Sequence, residues 1–219
     1  ASRDWSPVTH GLQLTRLRLS VNDYDGALKH LIQYYQATKK APEPAEQLLM
    51  ARLLTATGDS VTAGAELERL SSLLKSAGKD WDLASQQADL FFQAGVYQKA
   101  AALYQDIMTS SEASPELRSR SMMQLAEAYF QMENWVLASG VWRRYRDQNP
   151  EMDRDDLEIA NRRLILSLVY AKQWEAALPE LISYLTIFPE TEYAGEMYYL
   201  RGLTEANTGS MDSAVQSLG

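Results

Sequence analysis

The chain has 219 residues, of which 46% are hydrophobic and 23% are charged, so it carries enough apolar side chain to bury a core along its whole length. It contains no Cys, which excludes disulfides, iron–sulfur clusters and thiolate metal sites. Its formal net charge is −8, and a surface of that sign repels phosphate, so we expect no nucleic-acid partner.

The placement of Gly and Pro predicts a chain that is nearly all helix. Eleven Gly and seven Pro are too few for a loop-rich β fold, and they fall at intervals between longer stretches rich in Ala, Leu, Gln, Glu and Arg. No apolar run approaches the roughly 18 residues of a membrane span. The most apolar stretch, 164–171, is short and contains Ser167. We therefore expect an all-α protein without direct membrane insertion.

Six alanines in chain order mark a repeated unit. They are Ala27, Ala63, Ala100, Ala138, Ala177 and Ala214. The spacings between neighbours are 36, 37, 38, 39 and 37 residues, which suits one helix–turn–helix unit per period. The predicted repeats are 8–42, 44–79, 81–115, 119–150, 158–190 and, incomplete, 195–219.

Other residue types recur at fixed distances from these anchors. Three residues before them stand Tyr24, Ser60, Tyr97, Trp135, Trp174 and Met211, of which four are aromatic. Twelve residues before them stand the small residues Thr15, Ala51, Ala88, Ala126 and Gly202, with Ile165 as the exception. A small residue on the first helix lets the two helices of a unit approach closely. Apolar residues four and seven places after the anchors complete the stripe of an amphipathic second helix.

The segments between units carry helix-stopping and helix-capping residues rather than a metal motif. Between units stand Pro42 with Pro44, Pro115, Pro150 and Pro189, which end one hairpin and reset the chain before the next. The acidic run 151–156 resembles a metal site, but helix starts favour carboxylates and nothing supplies further ligands at fixed spacing. The two histidines, His10 and His30, also lack metal-site spacing. We expect no metal and no cofactor.

These residues resemble the tetratricopeptide repeat (TPR) family. The best match runs from Met122 to Pro150, where the signature positions are held by Ala126, Tyr129, Trp135, Ala138, Trp142, Tyr145 and Pro150. The resemblance covers nearly the whole chain, although the periods are two to five residues longer than the 34 of the family. It implies a single domain over 1–219, built as a right-handed α-solenoid of about six repeats, in which the first helices line a concave groove.

The resemblance also indicates which residues line that groove. It places on the groove nine residues, hereafter the groove set: Arg16, Arg52, Asp89, Phe92, Met123, Glu127, Phe130, Arg162 and Tyr199. The carboxylate-clamp pattern by which some members grip acidic peptides is missing. A mixed aromatic and charged surface suits a protein or peptide partner. Since the chain carries no recognised catalytic motif, we expect a non-catalytic interaction scaffold.

Two surface clusters are expected to have ordinary structural roles. The run Arg143, Arg144 and Arg146 is interpreted as a solvated helix face. Tyr198 stands beside Tyr199 at a position where the family packs its own core, so it is expected to be buried.

The segment Phe188–Ala194 resembles the F-P-x-S-x-Y-A linkers of periplasmic TPR proteins of the Tol-Pal and outer-membrane-assembly type. It therefore indicates a bacterial envelope assembly, with a cytoplasmic location as the alternative. A polysaccharide-associated module and a self-associating repeat are the alternative functions. Because the sixth unit is incomplete, we expect the parent protein to continue beyond Gly219.

Overall fold

The computed structural model describes residues 7–77 and 80–218, and within these ranges the chain forms twelve α-helices and no strand. The helices are α1 (Pro7–Ser20), α2 (Tyr24–Thr38), α3 (Pro44–Ala56), α4 (Ser60–Ala77), α5 (Trp81–Gln93), α6 (Tyr97–Thr109), α7 (Pro115–Gln131), α8 (Trp135–Gln148), α9 (Arg154–Tyr170), α10 (Trp174–Ile187), α11 (Ala194–Asn207) and α12 (Met211–Leu218). The predicted all-helical composition is confirmed. The predicted repeat ends at 79 and 219 lie outside the described residues.

Helix starts are set by capping side chains in the segments between units. Ser114 accepts a hydrogen bond from the backbone N–H of Leu117 at 3.1 Å, and Asp153 accepts one from Asp156 at 2.9 Å. These caps satisfy N–H groups that have no partner inside the helix. As a result α7 begins at Pro115 and α9 at Arg154, in both cases four residues before the predicted repeat starts.

All six tight turns use the same backbone conformation, at the residue five places before each anchor alanine. Gly58, Gly95 and Gly209 have φ of +86°, +74° and +85°, whereas Asn22, Glu133 and Lys172 have φ of +58°, +56° and +56°. In each turn the next N–H reaches back to a carbonyl five residues earlier, as from Asn134 to Tyr129 at 2.9 Å. This bond is typical of an α-helix that ends in a residue with left-handed backbone conformation. The chain then reverses direction and enters the second helix.

The anchor alanines lie in the cores of the helix pairs. All six are at most 3% exposed. The residues four places after the first five anchors are buried as well: Leu31, Leu67, Tyr104, Trp142 and Leu181. Burial of side chains this large stabilises a helix pair by roughly 1.5–3 kcal/mol each. Ile165, which departs from the small-residue series, is fully buried too, so this pair accommodates a branched side chain.

Consecutive helices pack as hairpins, and the chain divides into two compact units. The first unit ends at Leu103 and the second begins at Tyr104, inside α6. In unit 1, α1 packs on α2 and α3 on α4, while α3 also contacts α5. In unit 2, α7 packs on α8, α9 on α10 and α11 on α12, and the contacts α8–α9 and α10–α11 join successive hairpins. Among the described residues, no helix combines the length and the hydropathy that a membrane crossing requires.

Candidate interaction surface

Every member of the groove set lies on the first helix of a hairpin. Arg16, Arg52, Asp89 and Phe92 lie on α1, α3 and α5 in unit 1. The other five lie on α7, α9 and α11 in unit 2, and we call the surface formed by Glu127, Phe130, Arg162, Arg163 and Tyr199 the first-helix face of unit 2. Arg16, Arg52 and Tyr199 are exposed, and the remaining six members are partly buried. Every member of the groove set is therefore at least partly accessible to solvent.

In unit 1 two members of the groove set make contacts between or within neighbouring helices. The guanidinium of Arg52 donates to Oε1 of Gln86 at 3.5 Å, which joins α3 to α5. Phe92 packs edge-on against Tyr97, with ring centroids 5.2 Å apart. Both contacts involve residues outside the groove set.

In unit 2 the structure joins Glu127 and Phe130 through a residue that the sequence prediction omitted. Arg163 on α9 lies 3.1 Å from Oε1 of Glu127 on α7, and its guanidinium lies over the Phe130 ring at 4.7 Å from the centroid. Phe130 in turn packs edge-on against Trp135, with a centroid separation of 4.8 Å. Tyr170 completes this aromatic cluster at 4.9 Å from Trp135.

Arg162, the residue before Arg163, makes the matching contacts toward the next first helix. Its guanidinium lies 4.0 Å from the centre of the Tyr193 ring and 2.9 Å from Oε2 of Glu196 on α11. A planar guanidinium suits both contacts, because it stacks on an aromatic ring while its edge donates to a carboxylate. Arg163 therefore contacts α7 and Arg162 contacts α11, so the two adjacent arginines connect α9 to both neighbouring first helices.

A cleft of about 440 Å³ opens beside Arg162. It is lined by Asp155, Glu158, Ile159, Arg162, Arg163, Glu192 and Tyr193, and we call it the α9–α11 cleft. Within it Oε1 of Glu158 accepts hydrogen bonds from Thr191 and from the Tyr184 hydroxyl. The bond from Thr191 is the main cause that lowers the pKa of Glu158 below its ordinary value, against a smaller opposing effect of burial. Two hydroxyl groups therefore hold the Glu158 carboxylate in position.

The remaining groove residues of unit 2 lie apart from these contacts. Met123 lines a separate cleft of about 630 Å³ with Tyr145 and Met152. Tyr199 is 59% exposed. Tyr198, expected to be buried, is 46% exposed, so that expectation is wrong. Its neighbour Met197 is fully buried, and successive residues on a helix point about 100° apart, which turns Tyr198 toward the surface.

The fold is shared with solved structures, whereas no protein-family model and no curated protein matches the chain. A tetratricopeptide repeat protein from Parabacteroides merdae is 14% identical with a TM-score of 0.64, over 96% of this chain and 77% of that one. The chain has the tetratricopeptide-repeat fold. This confirms the predicted α-solenoid class.

Two further structures with a TPR fold are similar over most of this chain. One is a signal-transduction ATPase with a tetratricopeptide repeat sensor from Pyrococcus horikoshii, 15% identical with a TM-score of 0.66, over 99% of this chain and 36% of that one. The other is YrrB, described as a TPR protein with an unusual peptide-binding site, 14% identical with a TM-score of 0.57, over 85% of this chain and 88% of that one.

The arginine that sequence reasoning missed, Arg163, pairs with a residue about one repeat away. Glu127 and Arg163 are 36 residues apart, and Arg162 and Glu196 are 34 apart, so each ion pair spans about one repeat. Opposite charges one period apart on first helices are brought side by side by the stacking of the hairpins. The anchor spacings in this region are 39 and 37 residues, so the register alone identifies neither contact.

Proposed function

We propose that this protein is a non-catalytic scaffold that binds a peptide or protein partner on its first helices. The observation that carries the proposal is the first-helix face of unit 2, where Arg162 and Arg163 are held between aromatic rings and carboxylates of neighbouring helices. Arginine and aromatic side chains supply much of the binding energy at protein interfaces. A face whose anchors are held in place loses less side-chain entropy when it binds.

Charge and fold support a protein ligand rather than a nucleic acid. The net charge of −8 opposes a phosphate backbone. YrrB, which shares the fold, is described as having a peptide-binding site, and we extend that type of ligand to this chain as part of the proposal. An envelope location is proposed on the resemblance of the segment Phe188–Ala194 alone. In the structure this segment also has a packing role, since Phe188 is buried against Tyr184 with ring centroids 5.0 Å apart.

The polysaccharide alternative rests on exposed tyrosines. Tyr170 is 50% exposed at the edge of the aromatic cluster, and Tyr199 is 59% exposed. A sugar ring stacks on the face of an aromatic side chain. Binding of this kind predicts that a glycan array gives hits that are lost in Tyr170→Ala, whereas a peptide scaffold predicts no such hits.

The test of the proposed function is a selection from a phage-displayed library of random peptides on the immobilised wild-type chain. We expect binders whose affinity falls by about tenfold or more in Arg162→Glu, because the change removes the cation and repels Glu196. Arg52→Glu applies the same change in unit 1. Arg144→Glu, an exposed arginine on the second helix α8, is the matched control and retains affinity. A library that yields no binders, or binders unaffected by both first-helix changes, overturns the proposal.

A further inference from the structure

Two positions that the repeat buries or half-buries elsewhere are exposed on α1. Leu17 stands ten residues before its anchor alanine and is 61% exposed. Val21, four residues further on, is exposed as well, although none of the five residues at the same repeat position in the other hairpins is exposed. The five equivalents of Leu17 are at most 6% exposed: Leu53, Leu90, Ala128, Ser167 and Thr204.

The cover over this position comes from outside the hairpin. α1 packs on α2 as α3 packs on α4, yet Leu17 on α1 is exposed and Leu53 on α3 is buried. The second helix of the same hairpin therefore does not account for the burial. What α3 has in addition is contact with α2, the second helix of the preceding hairpin.

The second helix α12 shows the matching difference. Val215, the residue after its anchor, is 73% exposed, and Met211, one turn earlier on the same face, is also exposed. In unit 2 the equivalents of Met211, namely Trp135 and Trp174, are partly buried. No equivalent of Val215 on the other second helices is exposed: Leu28, Gly64, Ala101, Ser139 and Leu178.

Within each unit these two kinds of face meet. In unit 2 α8 packs on α9 and α10 packs on α11, so the second helix of one hairpin lies against the first helix of the next. Trp135 on α8 contacts Tyr170 on α9, with ring centroids 4.9 Å apart. In unit 1 the same order of helices is joined by a hydrogen bond of 2.6 Å from Gln87 on α5 to Ser71 on α4.

We propose that copies of this chain associate head to tail, with the α12 face of one copy (Met211 and Val215) packed on the α1 face of another (Leu17 and Val21). The contact continues the internal junctions, because each face presents repeat positions that those junctions cover. Removal of four apolar side chains from water favours it. The inference goes beyond the proposed function and does not depend on the ligand of the first helices.

The one charged side chain between Leu17 and Val21 is compatible with this contact. Arg18 holds a repeat position that is buried in most of the other hairpins, but its guanidinium lies 2.7 Å from Oδ2 of Asp23. Its charge is therefore compensated within the same copy, and its methylene stem is available for packing. Because the two faces differ, a bound copy still presents one of them, and further copies can add.

Sedimentation velocity over a concentration series tests the association. We expect the mean mass of the wild type to rise above the 24.7 kDa of one chain as the concentration increases. Leu17→Glu and Val215→Glu each place a carboxylate in the contact, so each variant alone should associate at least about tenfold more weakly. Both side chains are exposed in the single copy, so the substitutions leave its packing intact.

An equimolar mixture of the two variants distinguishes head-to-tail association from the pairing of like faces. Leu17→Glu keeps the α12 face and Val215→Glu keeps the α1 face, so the mixture contains the parts of one intact contact. We expect it to form species of two chains and none larger, with the dissociation constant of the wild type. Recovery of this species also shows that both variants are folded.

Val61→Glu on α4 is the matched control. Val61 stands two residues before its anchor, a position that is exposed in all six hairpins and that no internal junction covers. This variant should associate as the wild type does. A wild type that stays monomeric, a Leu17→Glu or Val215→Glu variant that associates like the wild type, a mixture that stays monomeric, or equal weakening by Val61→Glu each overturns the inference.

Discussion

Arg146 connects three helices of unit 2 through its hydrogen bonds. From α8 it donates to Glu180 on α10 at 2.6 Å and to Asn161 on α9 at 3.0 Å, and both members of the ion pair are largely shielded from solvent. In Glu180→Gln the guanidinium keeps its charge without a full counter-charge. We expect this variant to lower the free energy of unfolding by about 1–2 kcal/mol, measured by urea denaturation with far-UV circular dichroism.

The control for this prediction is Glu175→Gln on the same helix, where the glutamate is exposed. The free energy of unfolding of this variant should fall by no more than about 0.5 kcal/mol, since only the interaction of Glu175 with the helix dipole changes. Equal losses in the two variants would show that the ion pair with Arg146 contributes nothing specific.

Arg146 also shows what the sequence could not provide at this scale. The run Arg143, Arg144 and Arg146 was expected to be a solvated face, and Arg144 is indeed exposed, but Arg146 lies inside a hydrogen-bonded cluster. Helical periodicity predicts which side of α8 a residue occupies. It does not predict a partner 34 residues away, because that depends on how the next hairpin is seated.

At the scale of the elements, the six tight turns have one backbone conformation but different residues. Glu133 adopts φ of +56°, in a region that Gly occupies without steric cost and that is unfavourable for other residues. Glu133→Gly removes that strain, although Gly also makes the unfolded chain more flexible. We expect a net gain in the free energy of unfolding of roughly 0.5–1 kcal/mol, measured as a higher urea midpoint with an unchanged slope.

The reverse substitution at an equivalent turn is the control. Gly95 has φ of +74°, and a Cβ built on it meets no atom within 4 Å, so Gly95→Ala tests the backbone alone. It should lose roughly 1 kcal/mol. If both substitutions are neutral, the left-handed turn residue does not limit the stability of a hairpin.

The hairpins were predictable because their signals are local. Small residues twelve places before the anchors and apolar residues four places after them are determined by the packing of one helix on the next, and they are buried as expected, for example Ala126 and Trp142. The candidate surface was predictable only in part. The register of the repeat placed Glu127, Phe130 and Arg162 on first helices. It did not show that Arg163 contacts both Glu127 and Phe130.

At the scale of the whole molecule, the excess of acid is uneven. Residues 1–110 contain 11 Lys and Arg against 12 Asp and Glu, whereas residues 111–219 contain 10 against 17. Several of the carboxylates in the second half accept hydrogen bonds in the folded chain. The pH dependence of the free energy of unfolding measures the combined contribution of these carboxylates. Its slope is proportional to the difference in bound protons between the unfolded and the folded protein.

Two of these carboxylates, Glu158 and Glu205, indicate in which direction the stability changes with pH. Hydrogen bonds from Thr191 and Tyr184 lower the pKa of Glu158, although burial opposes them. Burial by itself raises the pKa of Glu205, but hydrogen bonds from Ser217 and Arg201 lower it below the ordinary value. A carboxyl whose pKa is lower in the folded state stabilises the fold above its unfolded pKa. That contribution is lost as the pH falls through the folded value.

We therefore expect the free energy of unfolding to fall as the pH is lowered from about 5 to about 3. In the double variant Glu158→Gln with Glu205→Gln the fall should be shallower, because two of the groups that take up protons on unfolding are absent. Glu133→Gln with Glu175→Gln removes two exposed carboxyls instead and should change the slope less. Urea denaturation at a series of pH values measures all three slopes. A double variant at Glu158 and Glu205 that follows the wild-type slope would mean that these two hydrogen-bonded carboxyls do not underlie the acid sensitivity of the fold.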